Sequence, residues 1–174
     1  MIDPTRLVRV IGVDPGDECG LACVEYQGNT WRVVRAVGVR LSTQKGQRAL
    51  GQFLDECLAL GPLDGLAMEE PGYVFLREEF RKLPPAKQVA VACKIAVGQG
   101  RRRGQIEARA MDRGIKVLDD LPQSHVKATV ACGGASKTQM IAAVRLRTGF
   151  DAPSEHIADG VAVACTAIKH LLCA

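Results

Sequence analysis

No apolar run in this 174-residue chain approaches the roughly 18 residues that suggest a membrane span. Its opening, Met1-Ile2-Asp3-Pro4-Thr5-Arg6, lacks the basic-then-apolar layout of a signal peptide. No CxxC pair occurs among the seven cysteines (19, 23, 57, 93, 132, 165 and 173), and most of them lie in apolar stretches. An odd count without metal-ligand spacing reads as reduced thiols in a cytoplasmic protein rather than as disulfides or structural zinc. Internal repeats and low-complexity stretches are missing as well. What remains is one domain of ordinary size, long enough to bury its apolar surface unaided, with the 47% hydrophobic and 24% charged shares of a globular protein.

Net charge is small, at +4, but unevenly distributed. Residues 1–98 hold twelve basic and twelve acidic side chains, and residues 99–174 hold eleven basic against seven acidic. A polyanionic partner would therefore dock mainly on the second part, although a solvated charged face explains the same excess.

Periodicity gives an order of elements. Arg6 to Val13 alternates as a strand and ends at the Pro15-Gly16 turn, and residues 20–26 and 30–39 read as two more strands in an antiparallel meander. Residues 47–60 have the apolar spacing of a helix, and 63–69 form a short buried strand. Residues 85–113 are helical in composition but interrupted by Gly98, Gly100 and Gly104. A strand at 115–118 follows, then helices at 124–131, at 137–148 with Ser136 as N-cap, and at 154–172. The order is α/β with a mixed sheet.

Four side chains stand at the ends of apolar segments that would bring them to one place: Asp14, Glu69, His156 and Asp159. Unpaired carboxylates are costly there. Like charges a few Å apart repel by roughly 1–4 kcal/mol per pair at effective dielectrics of 80 down to 20, and a divalent cation is the usual compensation. Asp14 ends the expected central strand, and Glu69 ends a strand expected to lie parallel beside it, so both face the edge where open α/β sheets bind ligands. Alternation sends Glu69 and Glu70 to opposite faces without choosing between them. His156 and Asp159, spaced i and i+3, share a helix face on which both can ligate a cation. Taken singly, Asp14 reads as a turn aspartate and the other two as helix N-terminal groups.

These segments carry a resemblance. Val10 to Gly16, Ala67-Met68-Glu69, His156-Ile157-Ala158-Asp159-Gly160 through Ala164, and Pro122-Gln123-Ser124-His125-Val126-Lys127 through Met140 resemble the catalytic blocks of RuvC-type Holliday junction resolvases. They occur in that family's order and cover roughly residues 9–26, 63–73 and 99–172. The resemblance implies an RNase H-like fold with a five-stranded mixed sheet, strands 1–3 antiparallel and 4–5 parallel, flanked by helices. It implies a homodimer that cuts four-way DNA junctions with Mg²⁺, two ions with Mn²⁺ as a substitute, in a bacterial or phage setting. Asp14, Glu69, His156 and Asp159 would bind the metal, which selects Glu69 over Glu70. Lys127 and Lys137 would contact the phosphate or help stabilise its developing charge.

The chain departs from the family between Glu69 and Gly104, where an extended segment of about residues 71–98 adds some twenty positions at 76–97. An aromatic that wedges into the junction is expected just after the glutamate, and Tyr73 or Phe75 fits that place, though either also suits an aromatic packed within its own loop. Arg101, Arg102 and Arg103 read as phosphate-tracking charge or as a solvated helix-end cluster. Two other readings remain: a different RNase H-like nuclease, such as an RNA-processing relative, and a non-catalytic junction-binding protein. A sugar-kinase or actin-like ATPase would need a second phosphate loop and about twice the length.

Overall fold

A computed structural model describes residues 5–70, 78–132 and 134–173 of the chain. Three strands open it: β1 (Val8–Asp14), β2 (Cys19–Gln27) and β3 (Thr30–Val39). Helix α1 (Gln44–Ala59) leads to β4 (Gly65–Met68), and then come α2 (Glu78–Arg81), α3 (Pro85–Met111), α4 (Gln123–Val130), α5 (Lys137–Thr148) and α6 (Glu155–Cys173). The sheet order is β3-β2-β1-β4, with β1 antiparallel to β2 and parallel to β4. Gly28 and Asn29, at φ 55° and 67°, close the β2–β3 hairpin between the paired Gln27 and Thr30, the two-residue turn whose twist matches flanking strands.

Alternation along β1 divides the core. Val8 and Val10 face α6 with α4 and α5, and Ile11 and Val13 face α1 and the C-terminal part of α3. Helix α6 is the central helix: Val161, Val163 and Ile168 are wholly buried. By length and composition α6 would qualify as a membrane span, but 61% of that stretch is buried inside the protein. Glu155, His156, Asp159, Lys169 and His170 interrupt its apolar residues, so it holds no unbroken apolar run of that length.

Glycines let α6 lie directly on the strands. A Cβ at Gly12 would come within 2.2 Å of the Gly160 carbonyl oxygen, and one at Gly20 within 1.7 Å of the His156 carbonyl oxygen. Any side chain at either strand position would lift the helix off. This contact fixes the start of α6 over the end of β1.

Two expectations need correction. Among the described residues the sheet has four strands rather than five: residues 115–121 lie along β4 only through isolated parallel bridges, Leu66 with Val117 and Glu69 with Leu121. Between them Asp119 and Asp120 leave the ladder, Asp120 pairing with Arg103, and Pro122 has no N–H to continue it. Helix α3 is not interrupted by its glycines and runs unbroken for 27 residues. Each internal glycine costs about 1 kcal/mol relative to alanine, and the surrounding Ala, Arg, Gln and Lys residues outweigh that. Of its side chains only Ile106 and Ala110 are buried, and Val89 and Val97 near its start are 62% and 71% exposed.

Candidate active site

Asp14 is the last residue of β1, and the Glu69 amide donates to the Val13 carbonyl at 3.1 Å, so the two carboxylates leave adjacent parallel strands at the same end. Glu69 is 9% exposed, whereas Glu70 is exposed. The fold therefore distinguishes two glutamates that alternation left equivalent. From above, α6 adds His156 and Asp159. His156 Nδ1 lies 3.0 Å from Asp14 Oδ2, and the Gly16 amide donates to Asp14 Oδ1 at 3.2 Å. His156 Nε2 is 3.7 Å from Glu155 and 3.9 Å from Glu18.

The electrostatics are those of a crowded acidic site. Burial, then the neighbouring Asp14 and Asp159, push the Glu69 carboxyl up from 4.5 to about 7, against the lowering effects of Gln123 and Lys127. Burial and Asp14 push Asp159 up from 3.8 to about 6, with Lys127 and His156 opposing. Asp14 is also raised, by burial, although its hydrogen bond to His156 pulls the other way. Among the described residues no group of three or more His, Cys, Asp or Glu side chains already forms a metal cage. The acids are near enough to repel, and their donor set is rich in hard oxygen ligands.

Lys127 sits on α4 and is felt electrostatically by both Glu69 and Asp159. Lys137, at the start of α5, is exposed and pairs with Glu155. The arginine run splits three ways. Arg101 is exposed, Arg102 turns to the Pro15 carbonyl at 3.3 Å, and Arg103 pairs with Glu107 at 2.9 Å and with Asp120. Tyr73 and Phe75 lie outside the described residues. Three neighbours were not foreseen as site residues: Gln123, which hydrogen-bonds Glu69, and Glu18 and Glu155 beside His156. Glu155 directly precedes His156 at a helix start, where acidic residues are ordinarily dipole partners, so it gave no distinguishing signal.

Paired carboxylates at the shared end of two parallel strands, opposed by a helix N-terminus bearing a third, mark an RNase H-like nuclease. A profile of the family described as crossover junction endodeoxyribonuclease RuvC matches residues 10–167. A relative from Halorhodospira halophila, named crossover junction endodeoxyribonuclease RuvC, is 28% identical over 169 residues, covering 94% of this chain and 92% of its own. Among solved structures, Thermus thermophilus RuvC in complex with a Holliday junction substrate superposes with a TM-score of 0.70 at 24% identity, covering 94% of each chain. Another T. thermophilus RuvC structure gives 0.68 at 23% identity, covering 95% of this chain and 96% of that one. These two share the fold. The chain belongs to the RuvC family of crossover junction endodeoxyribonucleases.

Proposed function

We propose that the protein cuts four-way DNA junctions by Mg²⁺-dependent phosphodiester hydrolysis. One observation carries the metal site: Asp14, Glu69 and Asp159 each have a raised pKa because burial disfavours the charged forms, and Asp14 raises the other two further by repulsion. A purely structural carboxylate gains nothing from such neighbours. Asp14, Glu69, His156 and Asp159 would hold two ions. The carboxylate oxygens suit Mg²⁺, and the imidazole makes Mn²⁺ an acceptable substitute. Divalent cations, when bound, activate the attacking water and neutralise the leaving 3′-oxygen.

The chain's own residues complete the reaction. His156 orients Asp14 through the Nδ1–Oδ2 contact at 3.0 Å. Lys127, within electrostatic reach of Glu69 and Asp159, stabilises charge on the pentavalent phosphorus. Lys137 and Arg101, both exposed, contact backbone phosphates. The working form is a homodimer, since a four-way junction offers two equivalent strands. The outward Val89 and Val97 of α3 support a second copy docking there, and Val89→Glu with Val97→Glu is expected to give monomers in sedimentation velocity.

The deciding assay uses fixed and mobile DNA junctions, linear duplex and structured RNA, each with Mg²⁺, Mn²⁺ and Ca²⁺. Paired nicks at the junction with Mg²⁺ or Mn²⁺, and binding without cutting in Ca²⁺, are expected. Preferential cleavage of RNA would assign the site to the other nuclease reading, and binding without cutting in every ion would make it a junction-binding protein.

A further inference from the structure

Arginines 101–103 are consecutive on one helix, so their side chains leave about 100° apart. Arg102 points to the β1–β2 turn. Its Nε donates to the Pro15 carbonyl at 3.3 Å, its Nη1 is 3.6 Å from Asp17 Oδ1, and its side chain is only 19% exposed. Pro15 directly follows Asp14; Arg40 holds the far end of the turn at Glu18, at 2.6 Å, and the tether nearest the carboxylate is the Gly16 amide bonded to Asp14. That last tether competes with any cation for the same oxygen. Arg102 holds the turn without using Asp14.

Arg103 leaves in another direction. It pairs with Glu107 and with Asp120, again 19% exposed. Asp120 stands between the two bridges that lay residues 117–121 along β4, the second of which joins Leu121 to Glu69. The Leu121 amide donates to the Met68 carbonyl at 3.0 Å and the Glu70 amide to the Leu121 carbonyl at 2.9 Å. Pro122 and α4, with Lys127, follow at once. Arg103 also carries a buried Nη1 with no partner among the described residues. A guanidinium left partly unmatched is a poor stabiliser, and its better-attested use is to fix register.

We propose that Arg102 and Arg103 are positioning residues, one guanidinium for each wall of the active site: Arg102 sets the Asp14 turn, and Arg103 sets the strip that carries Glu69's neighbour and launches the Lys127 helix. Because both spring from α3, the helix whose other end faces outward, that single rod connects the outer face of the protein to both walls. The proposal rests on the reading of Asp14 and Glu69 as catalytic acids.

The test uses full-length Arg101→Ala, Arg102→Ala, Arg102→Lys, Arg103→Ala and Arg103→Lys. Three quantities are read: junction Kd against salt in Ca²⁺, the single-turnover cleavage rate at saturating protein, and Mn²⁺ affinity without DNA by calorimetry. Arg101→Ala should weaken junction binding and reduce the salt slope by about 1. Arg102→Ala should leave Kd and slope in place, weaken Mn²⁺ binding, and slow saturated cleavage about 10- to 100-fold, since displacements near 1 Å cost up to about that much. Excess Mn²⁺ should restore part of the rate while the Tm in chelator stays close to that of the parent, a combination that a general folding defect would not show. Arg102→Lys, able to reach one carbonyl, should keep much of the rate. Arg103→Lys, lacking the fork that spans two carboxylates, should not. A salt slope reduced by about 1 with an undiminished saturated rate, in either alanine variant, would make that residue a phosphate contact and overturn the proposal. Unchanged rate, slope and Mn²⁺ affinity would overturn it equally. If instead Asp14→Asn still cuts, the catalytic reading itself fails, independently of the arginines.

Discussion

Replacing Glu69 by Gln should make the metal-free protein more stable at pH 8 while ending its activity. Glu69 carries a carboxyl raised from 4.5 to about 7, first by burial and then by Asp14 and Asp159. The folded state therefore holds a proton that the unfolded chain has released between those pH values. Because the folded pKa is raised, the associated stability is fully present below about pH 4.5 and is lost as pH rises through about 7. At about 1.4 kcal/mol per pH unit, the full loss is about 3 kcal/mol. Solvent screening and the residual desolvation cost of the amide reduce the expected gain of Glu69→Gln to about 2 kcal/mol at pH 8. For a chain of this length that is about 4–8 °C in Tm. The difference should shrink towards zero at pH 5, where Glu69 is already protonated. Asp159, raised to about 6, acts in the same sense over a lower window, and the acids titrate as a coupled set rather than one by one. Measuring Tm for both proteins from pH 5 to 8 in chelator cancels contributions common to both. Millimolar Mg²⁺ should then raise the Tm of the parent and leave Glu69→Gln nearly unmoved. Parallel Tm–pH curves for the two proteins would refute the argument, because they would mean that Glu69 feels no strained charge.

Asp14→Asn should retain junction binding in Ca²⁺ by gel shift and lose at least about a hundredfold in cleavage with Mg²⁺. Lys127→Ala should lower the saturated cleavage rate by about 10²–10³-fold, with Lys127→Arg recovering part of it because charge is what the position supplies. Gly20→Ala should lower Tm by at least about 5 °C, since its Cβ would fall 1.7 Å from the His156 carbonyl oxygen and overpacking costs about 1–3 kcal/mol or more. Gly104→Ala, whose Cβ would meet open space within a helix, should raise stability by up to about 1 kcal/mol in chemical denaturation.

The parts legible in the sequence were those written in local chemistry. Alternation within residues 6–13, the turn between the strands at 20–26 and 30–39, and the N-cap at Ser136 each depend on residues within a few positions of one another, and the structure has a strand at Val8–Asp14, a turn at Gly28-Asn29 and the Ser136 cap. The convergence of Asp14, Glu69, His156 and Asp159 could be anticipated because strand ends in a parallel pair share an edge whatever their separation along the chain. The arginine run could not be resolved in the same way. Arg102 meets Pro15 across 87 positions and Arg103 meets Asp120 across 17, and nothing local distinguishes a buried guanidinium from a solvated one. The missing fifth strand has the same origin: Ile115 to Leu118 has strand composition, but pairing stops where Asp120 finds a better partner off the sheet. Glycine in α3 misled because its helix penalty is a weak prior that neighbouring residues can outweigh.

The closeness of α6 to the sheet and the raised pKa values are consequences of one arrangement. Asp159 reaches the neighbourhood of Asp14 only because Gly12, Gly20 and Gly160 let the helix backbone touch the strand backbone. That contact also buries Val161, Val163 and Ile168 completely, each worth about 1.5–3 kcal/mol. Two such side chains offset the roughly 3 kcal/mol that the crowded Glu69 carboxylate costs at neutral pH. The fold can therefore hold an acidic cluster that is unfavourable in itself, provided the helix above it stays seated. A cation then gains affinity from the repulsion it relieves, because the acids are held together whether or not it is bound. A variant such as Gly20→Ala that unseats α6 should consequently weaken Mn²⁺ binding as well as stability, and should lower the pKa of Glu69 from about 7 as the covering helix lifts and Asp159 moves away, while Asp14 stays beside it on β1. Carboxyl titration by NMR would detect that fall. A Gly20→Ala protein that remains folded, with its α6 displaced but Glu69 still titrating near 7, would show that neither the cover of α6 nor the Asp159 carboxylate raises the pKa.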